Sequence, residues 1–168
     1  MNWLGELIYT ELTGNDSILD LGCGVMSATD ELENKIIGVD IWDKYLNHIK
    51  GKFPTIRIGM EETDRFMDKS YDVVFCLDVL EHLEYQLALK ILDECKRIAR
   101  RKVIIYTPSI HKDNSNAEAD AWGLGECSYQ KHISVVNMED FTSRGYKVYD
   151  PMKDNSHYAV WREDGNIT

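Results

Sequence analysis

Apolar runs rich in β-branched residues alternate along this chain with segments whose apolar residues recur at helical spacing, and that alternation narrows the fold more than any other feature. Parallel strands need a crossover between them, and helices supply it on both faces of the sheet. Strands are expected at Ser17-Ile18-Leu19-Asp20-Leu21, Lys35-Ile36-Ile37-Gly38-Val39-Asp40, Thr55-Ile56-Arg57-Ile58 and Lys102-Val103-Ile104-Ile105-Tyr106. Between the last two lies Tyr71-Asp72-Val73-Val74-Phe75-Cys76, the most continuous apolar run, as a central strand buried on both faces requires. Two further strands fit Tyr146-Lys147-Val148-Tyr149 and Tyr158-Ala159-Val160-Trp161.

Helices fill the intervals. A short one is expected from about Trp3 to Leu12, and Trp42, Tyr45, Leu46 and Ile49 fall on one face of another. The longest carries Leu87, Ile91, Cys95 and Ile98 as a buried stripe, with Glu84, Lys90 and Arg97 toward solvent. Asn137 can cap a last short helix that has Glu139 and Asp140 in its first turn, and Gly145 can close it. The fold class that follows is α/β: a Rossmann-like, seven-stranded, mostly parallel sheet with helices on both faces and an antiparallel last strand.

At 168 residues, with neither a linker nor a repeat, residues 1–168 read as a single domain with one core. The formal charge of −10 repels phosphate backbones and anionic lipid headgroups, so no nucleic acid is expected as a partner. Lys96, Arg97, Arg100, Arg101 and Lys102 form one basic cluster, read as cations complementing the carbonyl end of the long helix rather than as a phosphate site. Cys23, Cys76, Cys95 and Cys127 make no C-x-x-C pair, and most lie in apolar runs where a thiol packs as a small hydrophobe. No run of ~18 apolar residues occurs, so no membrane insertion is expected; a soluble, cytoplasmic protein is.

The chemistry is carried by Ile18-Leu19-Asp20-Leu21-Gly22-Cys23-Gly24-Val25-Met26, a strand that ends in an acid and breaks into glycines at its carboxyl edge, where open α/β sheets bind ligands. Gly22 and Gly24 permit close approach of a ligand to backbone, and a helix expected after them would present free N–H groups. About 20 residues on, Asp40 ends the second strand at the spacing from which a carboxylate accepts hydrogen bonds from both hydroxyls of a ribose. Two carboxylates at adjacent strand ends suit a cofactor that bears positive charge. A dinucleotide fits less well: G-x-G-x-x-G would need a small residue where Ser27 stands, and Asp20 would repel its pyrophosphate.

The chain resembles the class I S-adenosylmethionine-dependent methyltransferases over nearly its whole length. Leu19-Asp20-Leu21-Gly22-Cys23-Gly24 is similar to the first motif of that family and Val39-Asp40 to the second. The stretch from Tyr71 through Asp78-Val79-Leu80-Glu81-His82-Leu83 resembles the fourth in its "vleHl" variant, and Val103-Ile104-Ile105-Tyr106-Thr107-Pro108 the fifth. His132-Ile133-Ser134 and the segment from Glu139 to Val148 are similar to the closing part of many members. The resemblance implies S-adenosyl-L-methionine as cofactor, with Asp20 toward its amino group, Gly22, Cys23 and Gly24 along its path, Asp40 on the ribose, Ile41 over the adenine, and Leu77 and Asp78 beside the sulfonium. In the third motif the family's Gly-Asp-Ala is replaced by Gly59-Met60-Glu61, so Glu61, Glu62 or backbone groups are left to meet the adenine amine. Met26 stands in place of the usual third glycine of the first motif.

For acid or base work the candidates are His132 and Asp78, with His111 behind them; Asp78 and His82, four residues apart, can share a helix face. Neither Asp78 with His82 nor His111 with Asp113 completes a recognisable ligand set, so no metal is expected. Residues 109–131 lose all periodicity around Trp122 and Tyr129 and read as a substrate lid. The function expected is in-line methyl transfer to a small-molecule acceptor. Its rivals are a catalytically silent methyltransferase-like binding module and a nucleotide-dependent oxidoreductase.

Overall fold

The computed structural model describes residues 2–112, 114, 122–126, 128–149 and 155–164. Cys127, Asp113 and much of the 109–131 segment lie outside them. Helix α1 (Trp3–Tyr9) precedes strands β1 (Ser17–Leu21) and β2 (Lys35–Asp40), then helix α2 (Asp43–Ile49) and strand β3 (Thr55–Arg57). A 3-10 turn (Met60–Arg65) leads to β4 (Tyr71–Leu77), a second (Leu80–His82) to helix α3 (Tyr85–Ile98), and β5 (Ala99–Pro108) follows. After a third 3-10 turn (Ser128–Gln130) come α4 (Met138–Thr142), β6 (Lys147–Tyr149) and β7 (Ser156–Arg162).

The strands form one sheet in the order β3-β2-β1-β4-β5-β7-β6. Its first five strands run parallel, and β7 inserts antiparallel between β5 and β6. This is the architecture expected from the apolar pattern. Because successive side chains point to opposite faces, the alternation divides the core in two. Leu19 and Leu21 on β1, Val74 and Cys76 on β4 and Val103 and Ile105 on β5 pack against the buried stripe Ala88, Ile91, Leu92, Cys95 and Ile98 of α3. Ile18, Val73, Phe75, Ile104 and Tyr106 face the other way, against Leu4 and Ile8 of α1 and Leu46 and Ile49 of α2. β1 and β4, enclosed on both faces, are the centre on which the site is built.

Ion pairs consume the basic cluster. Lys102 reaches Glu11 at 2.7 Å, Lys96 reaches Asp93 at 3.3 Å, Arg100 pairs with Asp72, and Arg101 with Asp16. Arg97 departs from expectation: its long stem folds over the domain rather than into solvent, and its guanidinium donates to the carbonyls of Thr63 (3.0 Å) and Phe66 (2.7 Å) while pairing with Glu94. It thereby ties α3 to the Met60–Arg65 turn. Cys23, Cys76 and Cys95 are buried free thiols, as expected. No helix among the described residues is long and apolar enough to cross a membrane.

Two sequence expectations fail locally. The first helix ends at Tyr9 rather than near Leu12. More consequential, no helix follows the glycine break. Residues 22–34 form successive turns, with Met26 N on Cys23 O, Thr29 N and Asp30 N on Met26 O, and Leu32 N on Thr29 O. Only the Asp30 bond closes a full α-helical ring, and a single ring does not repay nucleation in so short a crossover. Met26, left-handed at φ 59°, places a non-helical residue where the first turn would begin.

Candidate cofactor and active site

The carboxyl ends of β1, β2 and β4 open into a cavity of about 500 Å³, within the range that holds nucleoside-sized ligands. Asp20, 2% exposed, stands near the end of β1, and its Oδ2 accepts a hydrogen bond from Thr29 Oγ1 at 3.2 Å. Burial, reinforced by the neighbouring charge of Asp40, raises its pKa to about 7. Asp40 ends β2; its Oδ2 accepts from Gly24 N at 3.0 Å and its Oδ1 from Trp42 N at 2.8 Å. A carboxylate offers roughly four acceptor positions, so with the amides of Gly24, Trp42 and Ile41 acting on Asp40 room remains for a ligand hydroxyl. Burial raises this pKa too, against the pull of those backbone amides.

The glycine loop is shaped by contact rather than by free donors. Gly22 N and Cys23 N both donate to Val39 O, at 2.7 and 2.9 Å, Gly24 N donates to Asp40, and Met26 N to Cys23 O. Instead of the free N–H groups expected at a helix start, these four amides are already engaged. A pyrophosphate here would have to do without those four donors and face Asp20 and Asp40, the buried acids beside the loop. Gly22, at φ 73°, admits no side chain: a Cβ there would lie 2.3 Å from Val79 Cγ2.

Cys23, Ile41, Met60, Glu61, Leu77 and Asp78 all line the same cavity. Glu62 does not; it pairs with Arg65 at 2.8 Å, which leaves Glu61 as the acid near the position of the third motif. Asp78 is exposed at the end of β4 in a left-handed conformation, φ 52°, with its N–H on Tyr106 O at 2.7 Å. Since the chain turns there and only a 3-10 turn follows, Asp78 and His82 do not share a helix face. His82 lines the cavity, whereas His132 stands behind it, ring to ring with His82 at 5.0 Å between centroids. Burial pushes the His82 pKa down to about 4 and lowers that of His132.

Two features were missed or only half seen in the sequence. Glu81, 3% exposed, accepts from Thr107 Oγ1 at 2.9 Å, and burial together with the Asp78 carboxylate pushes its pKa up to about 8. Its adjacency to His82 was the available signal. Trp122 leans over the glycine loop: a Cβ on Gly24 would meet its ring at 3.2 Å, and it packs edge-on against Tyr45 at 5.2 Å. The sequence also carries one Tyr-x-x-x-Lys spacing of the oxidoreductase kind, Tyr149 to Lys153, but Tyr149 lies on edge strand β6, outside the cavity, and Lys153 outside the described residues.

Residues 19–107, more than half of the chain, match the methyltransferase domain family. An uncharacterized protein of Methanocaldococcus jannaschii, MJ0638, is 30% identical over 124 residues, 68% of this chain and 53% of its own length; the chain thus spans about half of that relative. In fold the chain resembles a SAM-dependent methyltransferase from Archaeoglobus fulgidus, with TM-score 0.66 and 18% identity over 95% of this chain and 94% of that one. It also resembles magnesium protoporphyrin IX methyltransferase from Synechocystis, solved with bound SAH, at TM-score 0.64 and 18% identity over 95% and 79%. The sheet with its inserted antiparallel strand therefore has solved counterparts, and the chain belongs to the class I S-adenosylmethionine-dependent methyltransferase family.

Proposed function

We propose that this chain transfers the methyl group of S-adenosyl-L-methionine to a small-molecule acceptor. The observation that carries the reading is the pair of buried carboxylates, Asp20 and Asp40, flanking a glycine loop in which the amides of Gly22, Cys23, Gly24 and Met26 are already engaged. Such a cleft favours a cationic ligand with hydroxyls over an anionic one. In this assignment Asp40 accepts from the ribose hydroxyls and Asp20 faces the ammonium of the methionine part, with Gly22, Cys23 and Gly24 beneath it. Ile41, Met60 and Glu61 surround the adenine, and Leu77 and Asp78 flank the sulfonium.

Methyl transfer is a displacement in which the acceptor atom must stand in line with the departing sulfur, so positioning and water exclusion supply much of the rate. The aromatic and apolar wall of Trp3, Tyr106, Tyr129 and Ile133 borders the space left for the acceptor. Asp78, exposed beside that space, is the nearest base; His132 acts through His82 or not at all, because it does not line the cavity. In this reading residues 122–126, with Trp122 over the glycine loop, serve as a lid. The Synechocystis relative, by its name, methylates a porphyrin, which shows that a protein of this fold accepts a small molecule.

Calorimetric titration with S-adenosylmethionine tests the reading: saturable binding is expected, lost in Asp40→Ala. A folded protein that produces no binding heat would leave the silent binding module as the better account, and tight binding of NADH would restore the oxidoreductase.

A further inference from the structure

His82 and His132 lie far apart in the sequence, and the fold brings both against the carboxylate of Glu81. One donor atom from each of the three residues lies within 4.8 Å of the others. The internal hydrogen bonds fix how these groups are presented. His82 Nδ1 stands 3.2 Å from the carbonyl oxygen of Lys131, which can only accept, so Nδ1 carries the proton and Nε2 presents a lone pair. That Nε2 is 3.9 Å from Glu81 Oε1, too far for a hydrogen bond. No hydrogen bond bridges the two atoms, and a cation between them would replace the proton that burial favours on Glu81. His132 brings a ring nitrogen to the same point, and its Nδ1 is buried with no hydrogen-bond partner.

The surroundings hold these groups as an outer shell holds metal ligands. Glu81 Oε2 takes the Thr107 hydroxyl at 2.9 Å, the Glu81 carbonyl accepts from Ile133 N at 2.8 Å and Ser134 N at 3.2 Å, and Asn114 Oδ1 accepts from His132 N at 2.8 Å. Lys112, a cation acting on Glu81 and His132, is exposed and therefore screened by solvent.

We propose that Glu81, His82 and His132 bind one divalent transition-metal ion of the zinc or cobalt kind at the edge of the cofactor cleft. Two imidazoles and a carboxylate are a donor set for borderline cations rather than for magnesium or calcium. Around zinc, neighbouring donors stand about 3.4 Å apart, so the cluster contracts by about an ångström on loading. Three protein ligands leave a coordination position open, as catalytic sites do, and His82 lines the cleft. The site departs from the sequence expectation of no metal because its ligands come from two segments that only the fold unites. It does not depend on the methyltransferase reading.

The test is a titration of the full chain, stripped with chelator, with cobalt(II) chloride followed by visible absorption. One equivalent should bind with the intense bands of a low-coordinate site and be displaced by zinc. His82→Gln and His132→Gln should each weaken binding at least tenfold, and His48→Gln, on the exposed face of α2, should leave it unchanged. Circular dichroism checks that each variant folds; if one does not, the other carries the comparison. Absence of saturable binding in the unmodified protein, or affinity kept within twofold in a folded His82→Gln or His132→Gln, overturns the proposal. S-adenosylmethionine affinity measured on the same samples separates the two readings, since either ligand can fail to bind while the other binds.

Discussion

Asp40 does two jobs with one carboxylate, and the effect of removing it follows from both. Its oxygens fix Gly24 N and Trp42 N, and so set the loop and the entry to α2, before any ligand arrives. Hydrogen bonds to a charged group contribute about 1.5–3 kcal/mol each, so loss of the ribose contacts in Asp40→Ala is expected to weaken S-adenosylmethionine binding by about a hundredfold or more. Calorimetry would show it, and an unchanged affinity would refute the assignment. Gly22 offers a sharper steric test. Gly22→Ala places a methyl 2.3 Å from Val79 Cγ2 in a left-handed backbone. Overpacking of about 1–3 kcal/mol then adds to about 1–2 kcal/mol of backbone strain. The double variant Gly22→Ala with Val79→Ala should recover the packing part and keep the backbone part, read as two separable steps in chemical-denaturation midpoints. Such residues were legible because strand ends are: a run of alternating apolar side chains that stops at an acid and a glycine marks its own boundary. The partners of those residues were not, since Val79 faces Gly22 only once β4 lies beside β1.

At the scale of elements, the sheet was readable from the strands alone, while what hangs on the sheet's edge was not. Apolar, β-branched runs located all seven strands, and the burial of α3 followed its stripe, because both signals are local. The glycine loop shows the limit of local signals. A helix was expected there by analogy with nucleotide-binding turns, yet the crossover is short, Met26 is left-handed, and its buried side chain fills the space beneath with Leu32 and Cys23. Residues 122–125 show the opposite case, an irregular segment given a position by contacts distant in sequence. Trp122 packs on Tyr45 and over Gly24, and Lys44 Nζ donates to Leu124 O at 3.1 Å. An edge-on aromatic pair contributes about 0.5–1.5 kcal/mol, whereas an exposed hydrogen bond contributes about 1 kcal/mol or less. Trp122→Ala is therefore expected to speed cofactor dissociation by about three- to tenfold, and Lys44→Ala by less, in stopped-flow chase experiments. Equal dissociation rates in Trp122→Ala and the parent would remove the lid from the account. The Glu81, His82 and His132 cluster belongs to the same class: no spacing rule links its members, because a loop and a strand end meet only after the sheet has formed.

For the molecule as a whole, the buried acids Asp20, Asp40 and Glu81 make stability a function of pH in a direction that can be worked out. Asp20 moves from 3.8 in an open chain to about 7 when folded, so between those values the folded state holds more protons than the unfolded one. Stability therefore falls as pH rises through that window, by on the order of 4 kcal/mol for Asp20, and Asp40 and Glu81, also raised, act in the same sense. Glu11, Asp72 and Glu94 work oppositely. Hydrogen bonds and ion pairs with Lys102, Ser17 and Arg97 hold their pKa values down against desolvation, so their contribution is present above the ordinary carboxylate range and is lost as pH falls below it. His82, whose pKa falls to about 4 on folding, opposes the acids below its ordinary value of 6.5, but Asp20, Asp40 and Glu81 together outweigh it. The free protein should accordingly be most stable in mild acid and weaken toward neutrality, a trend to which the net charge of −10 adds. Thermal melts from pH 4.5 to 8.5 would reveal that slope, and Asp20→Asn should reduce it, leaving the part that Glu81 and Asp40 carry, while changing the total charge by only one. A cationic ligand seated against Asp20 favours the ionised acid, so S-adenosylmethionine should stabilise the protein more at pH 8 than at pH 5. Melting temperatures that climb steadily toward alkaline pH in the free protein, or a ligand-induced shift that shrinks with pH, would mean that the cleft is not built around an unpaired negative charge waiting for its counterion.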